Sequence, residues 1–500
     1  MTPITVLTPG EVRALEERAA HAGGPSLMER AGRAVAQAAR KLAADTGAPI
    51  LIVAGPGNNG GDAWVAAAHL AESFHRVVVF DVSGTMPKAT EARVARDGYI
   101  SRGGQVVREW PEALRPALIV DGLLGLGLAR DVETGFADTI RRINASGVPI
   151  LAIDTPSGLD SGTGVVRGSA VKATRTITFL AHKVGLHTGD GIDYRGALEM
   201  DDLGAGADAG RDARGLLLTP EMVGPWLAPR ARNSHKGMFG SVAVIGGNRG
   251  MVGAALLAAR AALLCGAGKV RVGLLSADGA SADYERPELM LGSVDDAMQG
   301  DVIVAGPGAG QSPSSTSVSM FERSVLPALI ASAKPLVLDA DALNAIAFNA
   351  TLETALVSRL KAPTILTPHP AEAARLLHRT TAQVNDDRLA VALALAKRFN
   401  AHVVLKGAGS ICAFPDGRWS VNTTGNPGLA AAGSGDVLAG IIGAMLAQKL
   451  DPEKAVQYAV CLHGAAADSL VARGVGPIGL TASEIALEAH AVMNSWTRAA

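Results

Sequence analysis

Aromatic side chains are scarce in this sequence, 4% of 500 residues, which excludes a core built mainly of stacked rings. There are three cysteines, Cys265, Cys412 and Cys461. They are odd in number, far apart and without CxxC spacing. That excludes a disulfide framework and points to buried thiols in a reducing compartment. Neither sign of charge prevails, with 46 basic residues against 47 acidic ones. No basic block stands out, so no nucleic-acid partner is expected. No purely apolar run reaches the ~18 residues that a membrane span needs. The opening MTPITVLTPGEVRALEERAA has no basic segment followed by an apolar stretch. No signal peptide, no membrane partner and a cytoplasmic location are therefore expected.

The chain is rich in small and apolar residues. The hydrophobic share is 48%, enough to exclude disorder, and there are 59 glycines. At about 100–200 residues per domain the length allows two or three domains. Small residues packing helices on sheets, with many glycine turns, suit an α/β protein.

Thr8-Pro9-Gly10-Glu11 carries a T-x-x-E capping box, and apolar residues then recur at helical spacing through about Leu42. Strands are predicted at Pro49–Ala54, Arg76–Phe80, Ala117–Val120, Pro149–Ile153 and Thr176–Phe179. Their alternation with helices implies a mostly parallel sheet with ligands at the carboxyl ends of its strands. Asp201–Gly215, without periodicity and rich in Gly, Ala and Asp, reads as a linker. A second series follows, with strands expected at Ser241–Ile245, Val270–Leu274, Asp301–Ala305, Leu336–Leu338, Thr364–Leu366 and His402–Leu405. Gly425–Gly435 then leads into an apolar helix from Asp436 to about Leu446.

The loop Gly55-Pro56-Gly57-Asn58-Asn59-Gly60-Gly61-Asp62 joins a strand to a helix. Its glycines let backbone approach an anion, and the helix start offers N–H groups. It is neither a Walker loop nor a GxGxxG fingerprint. Asp121 begins DGLLGLGLARD and Asp154 begins DTPSGLD. Either aspartate alone reads as a turn or cap residue. Together at strand ends they could serve a cation and a proton transfer. Lys183, taken alone, reads as a solvated surface lysine.

The series GPGNNGGD, DGLLGLGL, DTPSGLDSGTG and FLAHKVGL resembles the NAD(P)H-hydrate epimerase family. The resemblance implies a Rossmann-like three-layer α/β/α domain over residues 1–215 that interconverts the R and S epimers of hydrated NADH and NADPH. It implies substrate contacts from Asn58, Asn59, Gly60, Gly61 and Asp62. A second phosphate loop would run through Gly125, Leu126, Gly127, Leu128, Ala129, Arg130 and Asp131. Asn59, Asp121 and Ser157 would hold a potassium ion, and Asp154 would be the acid/base residue. Ala63 stands where that family usually has Gly.

The segment GNPGLAAAGSGDVLAG places Gly433-Ser434-Gly435-Asp436 at a helix start. Exposed N–H groups and the helix dipole there favour a phosphoryl group, with Asp436 beside it as a base. With LDADALN (338–344), TPHPAE (367–372) and LKGAGS (405–410), residues 220–500 resemble the ribokinase-like superfamily, and more closely its NAD(P)H-hydrate dehydratase branch. The resemblance implies dehydration of the S epimer with magnesium and ADP or ATP. The nucleotide would lie on Lys406, Gly407, Ala408, Gly409, Ser410 and Gly435. The hydrated cofactor would lie on Ala254 or Ala255, Gly308, His369 and Asp436. Ala371 replaces a usual Gly, and Ser434 a usual Thr. A homo-oligomer is expected. The alternative is a ribokinase-like kinase for a vitamin precursor, fused to a nucleotide-binding module.

Overall fold

The structure is a computed structural model that describes the chain apart from residues 1–2, 21–23, 44–46, 85, 88, 129, 207–209, 211–212, 311–318 and 500. It divides into two compact units, Thr5–Gly215 and Leu216–Ala500, with Pro3 and Ile4 grouped with the second.

The first unit is built on a seven-stranded sheet. Its spatial order is Gln105–Val107, Val77–Asp81, Ile50–Ala54, Leu118–Gly122, Ile150–Ile153, Arg175–Phe179 and Ala197–Asp201. Every neighbouring pair is parallel. The central strands are buried along their whole length. That explains their unbroken runs of Ile, Leu and Val: both faces are covered by helices. Since the strands are parallel, the loops after Ala54, Gly122, Ile153 and Phe179 all leave from one edge.

The expected helix from Thr8 to Leu42 is corrected to two, Pro9–Ala20 and Leu27–Leu42. The capping box at Thr8 forms, with Glu11 Oε2 accepting from Thr8 N at 2.7 Å. The break comes at Gly24, which adopts φ 84°. Pro25 follows, and Ser26 caps the next helix by accepting from Glu29 N at 3.2 Å. A left-handed glycine ahead of a proline cannot continue a helix. The presumed linker is also shortened, because Asp201 ends an edge strand. Residues 207–209 and 211–212 of that segment lie outside the described residues.

In the second unit the spatial order is Met290–Gly292, Lys269–Leu274, Ser241–Gly246, Val302–Ala305, Leu336–Leu338, Thr364–Leu366, His402–Leu405, Ile411–Ala413 and Trp419–Asn422. The strands through His402–Leu405 are parallel, and the last two continue as an antiparallel hairpin. Each strand expected from the sequence is present, its ends shifted by at most a residue or two. The additional strands are short, at sheet edges or in the hairpin.

Helix Ser434–Ala447 is buried on nearly every side, as a helix apolar all round should be. A methyl group on Gly440 would lie 2.0 Å from the Ala258 carbonyl oxygen of helix Val252–Leu264. Absence of a side chain therefore sets how closely these helices approach. All three cysteines are free and buried in this unit. No helix among the described residues is long and apolar enough to cross a membrane.

Gly440→Ala is expected to destabilise the second unit by about 1–3 kcal/mol, the usual cost of overpacking. Thermal unfolding of the full chain checks this. An unchanged melting temperature would show that the two helices can separate freely.

Candidate functional site

In the first unit the loop edge of the sheet opens into a cavity of about 910 Å³. Its walls include Asn58, Asn59, Asp62, Gly125, Leu126, Gly127, Leu128, Arg130, Asp154 and Lys183. Gly60 and Gly61 lie behind this wall. A Cβ on Gly60 would meet the Gly55 carbonyl oxygen at 1.9 Å, and one on Gly55 would meet the Leu123 oxygen at 1.8 Å. These glycines let two loops touch rather than face the cavity. Asp131 is exposed and does not line the cavity, and Ala129 lies outside the described residues. Ala63 is fully buried, so the alanine found there is accommodated in the core.

Asp154 follows strand Ile150–Ile153 with φ 63°, a conformation non-glycine residues adopt only when surrounding contacts impose it. Those contacts are visible. Its carboxylate accepts from Phe179 N at 3.2 Å and Thr178 Oγ1 at 3.3 Å, and it forms an ion pair with Lys183. Lys183 Nζ also donates to Thr178 Oγ1 at 2.9 Å and to the Phe179 carbonyl at 2.8 Å. The reading of Lys183 as a solvated surface residue is thus corrected: it is fully buried. A lysine can be dehydrated at such low exposure only because a carboxylate and two oxygens replace its water.

Four further carboxyls, Glu16, Glu17, Asp62 and Glu91, line the same cavity. Burial, and then the charge of Asp154, raise Glu16 above its ordinary value and Asp62 well above its own. Glu16 belongs to the opening helix, whose sequence signalled only a cap.

Behind the wall, Asp121 is wholly buried. It accepts from Ser157 Oγ at 2.6 Å, Ser157 N at 2.9 Å and Leu123 N at 3.2 Å. Burial raises its pKa, and the Ser157 bonds oppose this. Asn59 Nδ2 donates to the Leu124 carbonyl at 2.8 Å, and Leu124 N donates to Ser157 Oγ at 2.8 Å. Asn59, Asp121 and Ser157 are therefore brought together around Leu124.

The second unit gathers its polar groups at the ends of adjacent strands. Lys406 follows His402–Leu405 and donates to Asp339 Oδ1 at 2.8 Å. Asp339 follows Leu336–Leu338 and also accepts from Thr367 Oγ1 at 2.8 Å. Glu372 lies 3.9 Å from Lys406. Burial works to lower the Lys406 pKa, but Asp339 and Glu372 outweigh it and raise it. A Cβ on Gly435 would sit 3.1 Å from Lys406 Nζ, so the start of helix Ser434–Ala447 closes this cluster. No side chain among the described residues caps that helix. Asp436, in its first turn, is pushed up to about 7, by burial first and by Asp339 next. In the sequence Asp339 and Glu372 stand out only as members of LDADALN and TPHPAE. Their part shows once strands far apart in sequence are aligned.

His369 caps helix Pro370–Leu376, its Nδ1 accepting from Ala371 N at 3.1 Å. Ala371 does not have positive φ, so the loss of a usual glycine there creates no strain. Ser434 Oγ meets buried His463 Nε2 at 3.3 Å. Gly308 has φ 59°, and its Cβ would lie 3.0 Å from Ala254 Cβ. Ala255, by contrast, is fully buried in the core, so only Ala254 of that pair is accessible. Gly407 has φ 142°, with the Arg388 guanidinium occupying the space a Cβ would need. Ser410 Oγ donates to the Gly407 carbonyl at 3.1 Å. Ala408 and Gly409 lie in that same turn.

Each unit presents an aspartate–lysine pair at the carboxyl ends of its parallel strands, Asp154 with Lys183 and Asp339 with Lys406, and in α/β enzymes ligands lie at that edge. Residues 242–488 match the family model for NAD(P)H-hydrate dehydratase, and residues 24–185 match that for the YjeF-related protein N-terminus. The chain is 37% identical to the bifunctional NAD(P)H-hydrate repair enzyme Nnr of Escherichia coli, over 98% of this chain and 94% of that protein. It is 35% identical to the enzyme of the same description from Moorella thermoacetica, over 87% and 86%. The chain belongs to the bifunctional NAD(P)H-hydrate repair enzyme family. Among solved structures, the ADP/ATP-dependent NAD(P)H-hydrate dehydratase of Bacillus subtilis, co-crystallised with ATP and magnesium, is 30% identical. That match covers 56% of this chain and 97% of that one, with a TM-score of 0.46.

Lys183→Met should destabilise the first unit by about 3–5 kcal/mol by leaving a buried charge unpaired. The double variant Asp154→Asn/Lys183→Met should be more stable than Lys183→Met alone. Chemical denaturation of the set measures the coupling, and strict additivity would contradict a buried pair.

Proposed function

We propose that the first unit epimerises hydrated NADH and NADPH at carbon 6 of the nicotinamide ring, and that the second dehydrates the S epimer using ADP or ATP. Membership of the repair-enzyme family supports the pairing of the two activities. The observation that carries the residue roles is a buried carboxylate in each centre: Asp154 on the cavity wall and Asp436 at an uncapped helix start.

In the dehydratase centre, hydroxide is too poor a leaving group to depart unaided. Asp436 takes the proton of the substrate hydroxyl, whose oxygen then bonds to the terminal phosphorus of the nucleotide. The phosphorus–oxygen bond to the rest of the nucleotide breaks. The phosphorylated oxygen next leaves carbon 6 as the ring nitrogen supplies its electron pair, and loss of a proton from the neighbouring carbon restores the reduced ring. A base with pKa about 7 suits this at neutral pH. The amides at Gly433–Gly435 face the phosphoryl group, and Lys406 and the Gly407–Ser410 turn lie beside it. His369, Gly308 and Ala254 border the substrate in this reading. The described residues hold no group of three or more His, Cys, Asp or Glu side chains able to take a metal. Magnesium would enter with the phosphates and neutralise their charge.

In the epimerase centre, Asn58 and Asp62 contact the substrate, the Gly125–Arg130 loop takes its phosphates, and Asp154 moves the proton. Asn59, Asp121 and Ser157 suit a potassium ion. Asp121 is a buried carboxylate with no cationic partner among the described residues, and the Ser157 hydroxyl and Leu124 carbonyl lie beside it. When bound, the ion supplies the missing positive charge and fixes the two loops. The buried free thiols support a cytoplasmic location. We include homo-oligomeric assembly in the reading, since Phe74, Phe348 and Ile478 offer exposed apolar surface.

Asp436→Asn is expected to abolish dehydration while epimer exchange continues. In the unaltered chain the dehydration rate should rise with pH through about 7, as Asp436 loses its proton. Absorbance of reduced nicotinamide, with ADP and magnesium present, follows dehydration, and separation of the R and S hydrates follows exchange; normal dehydration by Asp436→Asn would refute the role. Potassium at 100 times its dissociation constant should stabilise the first unit by about 2.7 kcal/mol, and Asp121→Asn should remove that gain. An equal shift in the variant would place the ion elsewhere.

A further inference from the structure

Inverting a carbon that bears a hydroxyl needs chemistry on two faces: one group to help oxygen leave and another to help oxygen arrive. Asp154 supplies one, from the end of strand Ile150–Ile153. Glu16 lines the same cavity from a different element, helix Pro9–Ala20. No hydrogen bond or ion pair engages its side chain among the described residues, so its carboxyl is not committed to holding the fold. The charged groups that face it are Asp154, Lys183, Arg13, Glu17 and Asp62. Asp62, also without a side-chain partner, lines the cavity too.

We propose that Glu16 is the second proton-transfer residue of the epimerase centre, acting on the ring face opposite Asp154. The proposal rests on the epimerase reading of this cavity. Asp154 is held beside the Lys183 cation and serves as the base. Glu16 lacks such a cation contact, and burial together with the nearby Asp154 charge favours its acid form.

Glu16 in its acid form gives its proton to the hydroxyl on carbon 6. The carbon–oxygen bond breaks, water departs, and the ring nitrogen's electron pair forms a carbon–nitrogen double bond. A water molecule on the Asp154 side bonds to carbon 6, the pair returns to nitrogen, and the surplus proton passes to Asp154. The product has the opposite configuration and one oxygen from solvent. Proton exchange through water returns Glu16 to its acid form. The reverse reaction uses the two residues in exchanged roles.

The test uses the full chain and hydrated NADH, with R–S exchange and S-epimer dehydration measured on the same preparation. Glu16→Gln should lower exchange by about 100-fold or more, the usual range for loss of a proton-transfer group, while dehydration by the second unit stays unchanged. Glu16→Asp should recover part of the exchange. The alkaline fall of the unaltered exchange profile, as Glu16 loses its proton, should be absent from the residual activity of Glu16→Gln. In ¹⁸O-labelled water each inversion by the unaltered chain should bring in one labelled oxygen. Exchange by Glu16→Gln within twofold of the unaltered chain would overturn the assignment, and retention of the original oxygen would overturn the step. Absence of exchange by the unaltered chain would instead sink the epimerase reading itself.

Discussion

A carboxylate withdrawn from water must be given a cation, hydrogen-bond donors or a proton, and both reaction centres are organised by that requirement. Asp154 has Lys183, Asp339 has Lys406 and Thr367, and Asp121 has Ser157 and a backbone amide. Asp436 has no direct cation among the described residues, and its pKa is pushed up to about 7 instead. The pairs around Asp154 and Asp339 anchor their loops. In the second unit, holding the loops and the proton exchange we propose for Asp436 would fall to different residues; in the first, Asp154 would serve both.

The parallel sheets make these clusters possible. Apart from the antiparallel hairpin that ends the second sheet, neighbouring strands run the same way, so loops from distant parts of the chain arrive side by side. Lys183 meets Asp154 across 29 residues of sequence and Lys406 meets Asp339 across 67. Glycine then sets how near the loops come. At Gly55, Gly60 and Gly440 a single added carbon would overlap a carbonyl oxygen. The shape of the first cavity and the burial of the Asp436 helix both depend on backbone meeting backbone.

Much of this was legible beforehand. Strands such as Leu336–Leu338 and His402–Leu405 were marked by apolar runs between turns, and their carboxyl-end motifs by unusual glycine, asparagine and aspartate spacing. The helix break at Gly24 was less visible, because apolar periodicity resumes on its far side. Lys183 was misread, because a lysine's burial depends on what a remote strand end places beside it. Glu16 gave no signal, since a charged residue on an amphipathic helix normally faces solvent. Ala255 was left open against Ala254 because both fit the same motif, and only helix rotation separates a core methyl from an accessible one.

The distribution of sulfur has a practical side. Cys265, Cys412 and Cys461 all fall in the second unit, and burial pushes each thiol up to about 12. A neutral, enclosed thiol does not attack an alkylating reagent. Labelling therefore waits until that half of the chain opens. Because the other half contains no sulfhydryl, the rate of modification is a built-in clock for the opening of one reaction centre alone, readable in the intact polypeptide by mass.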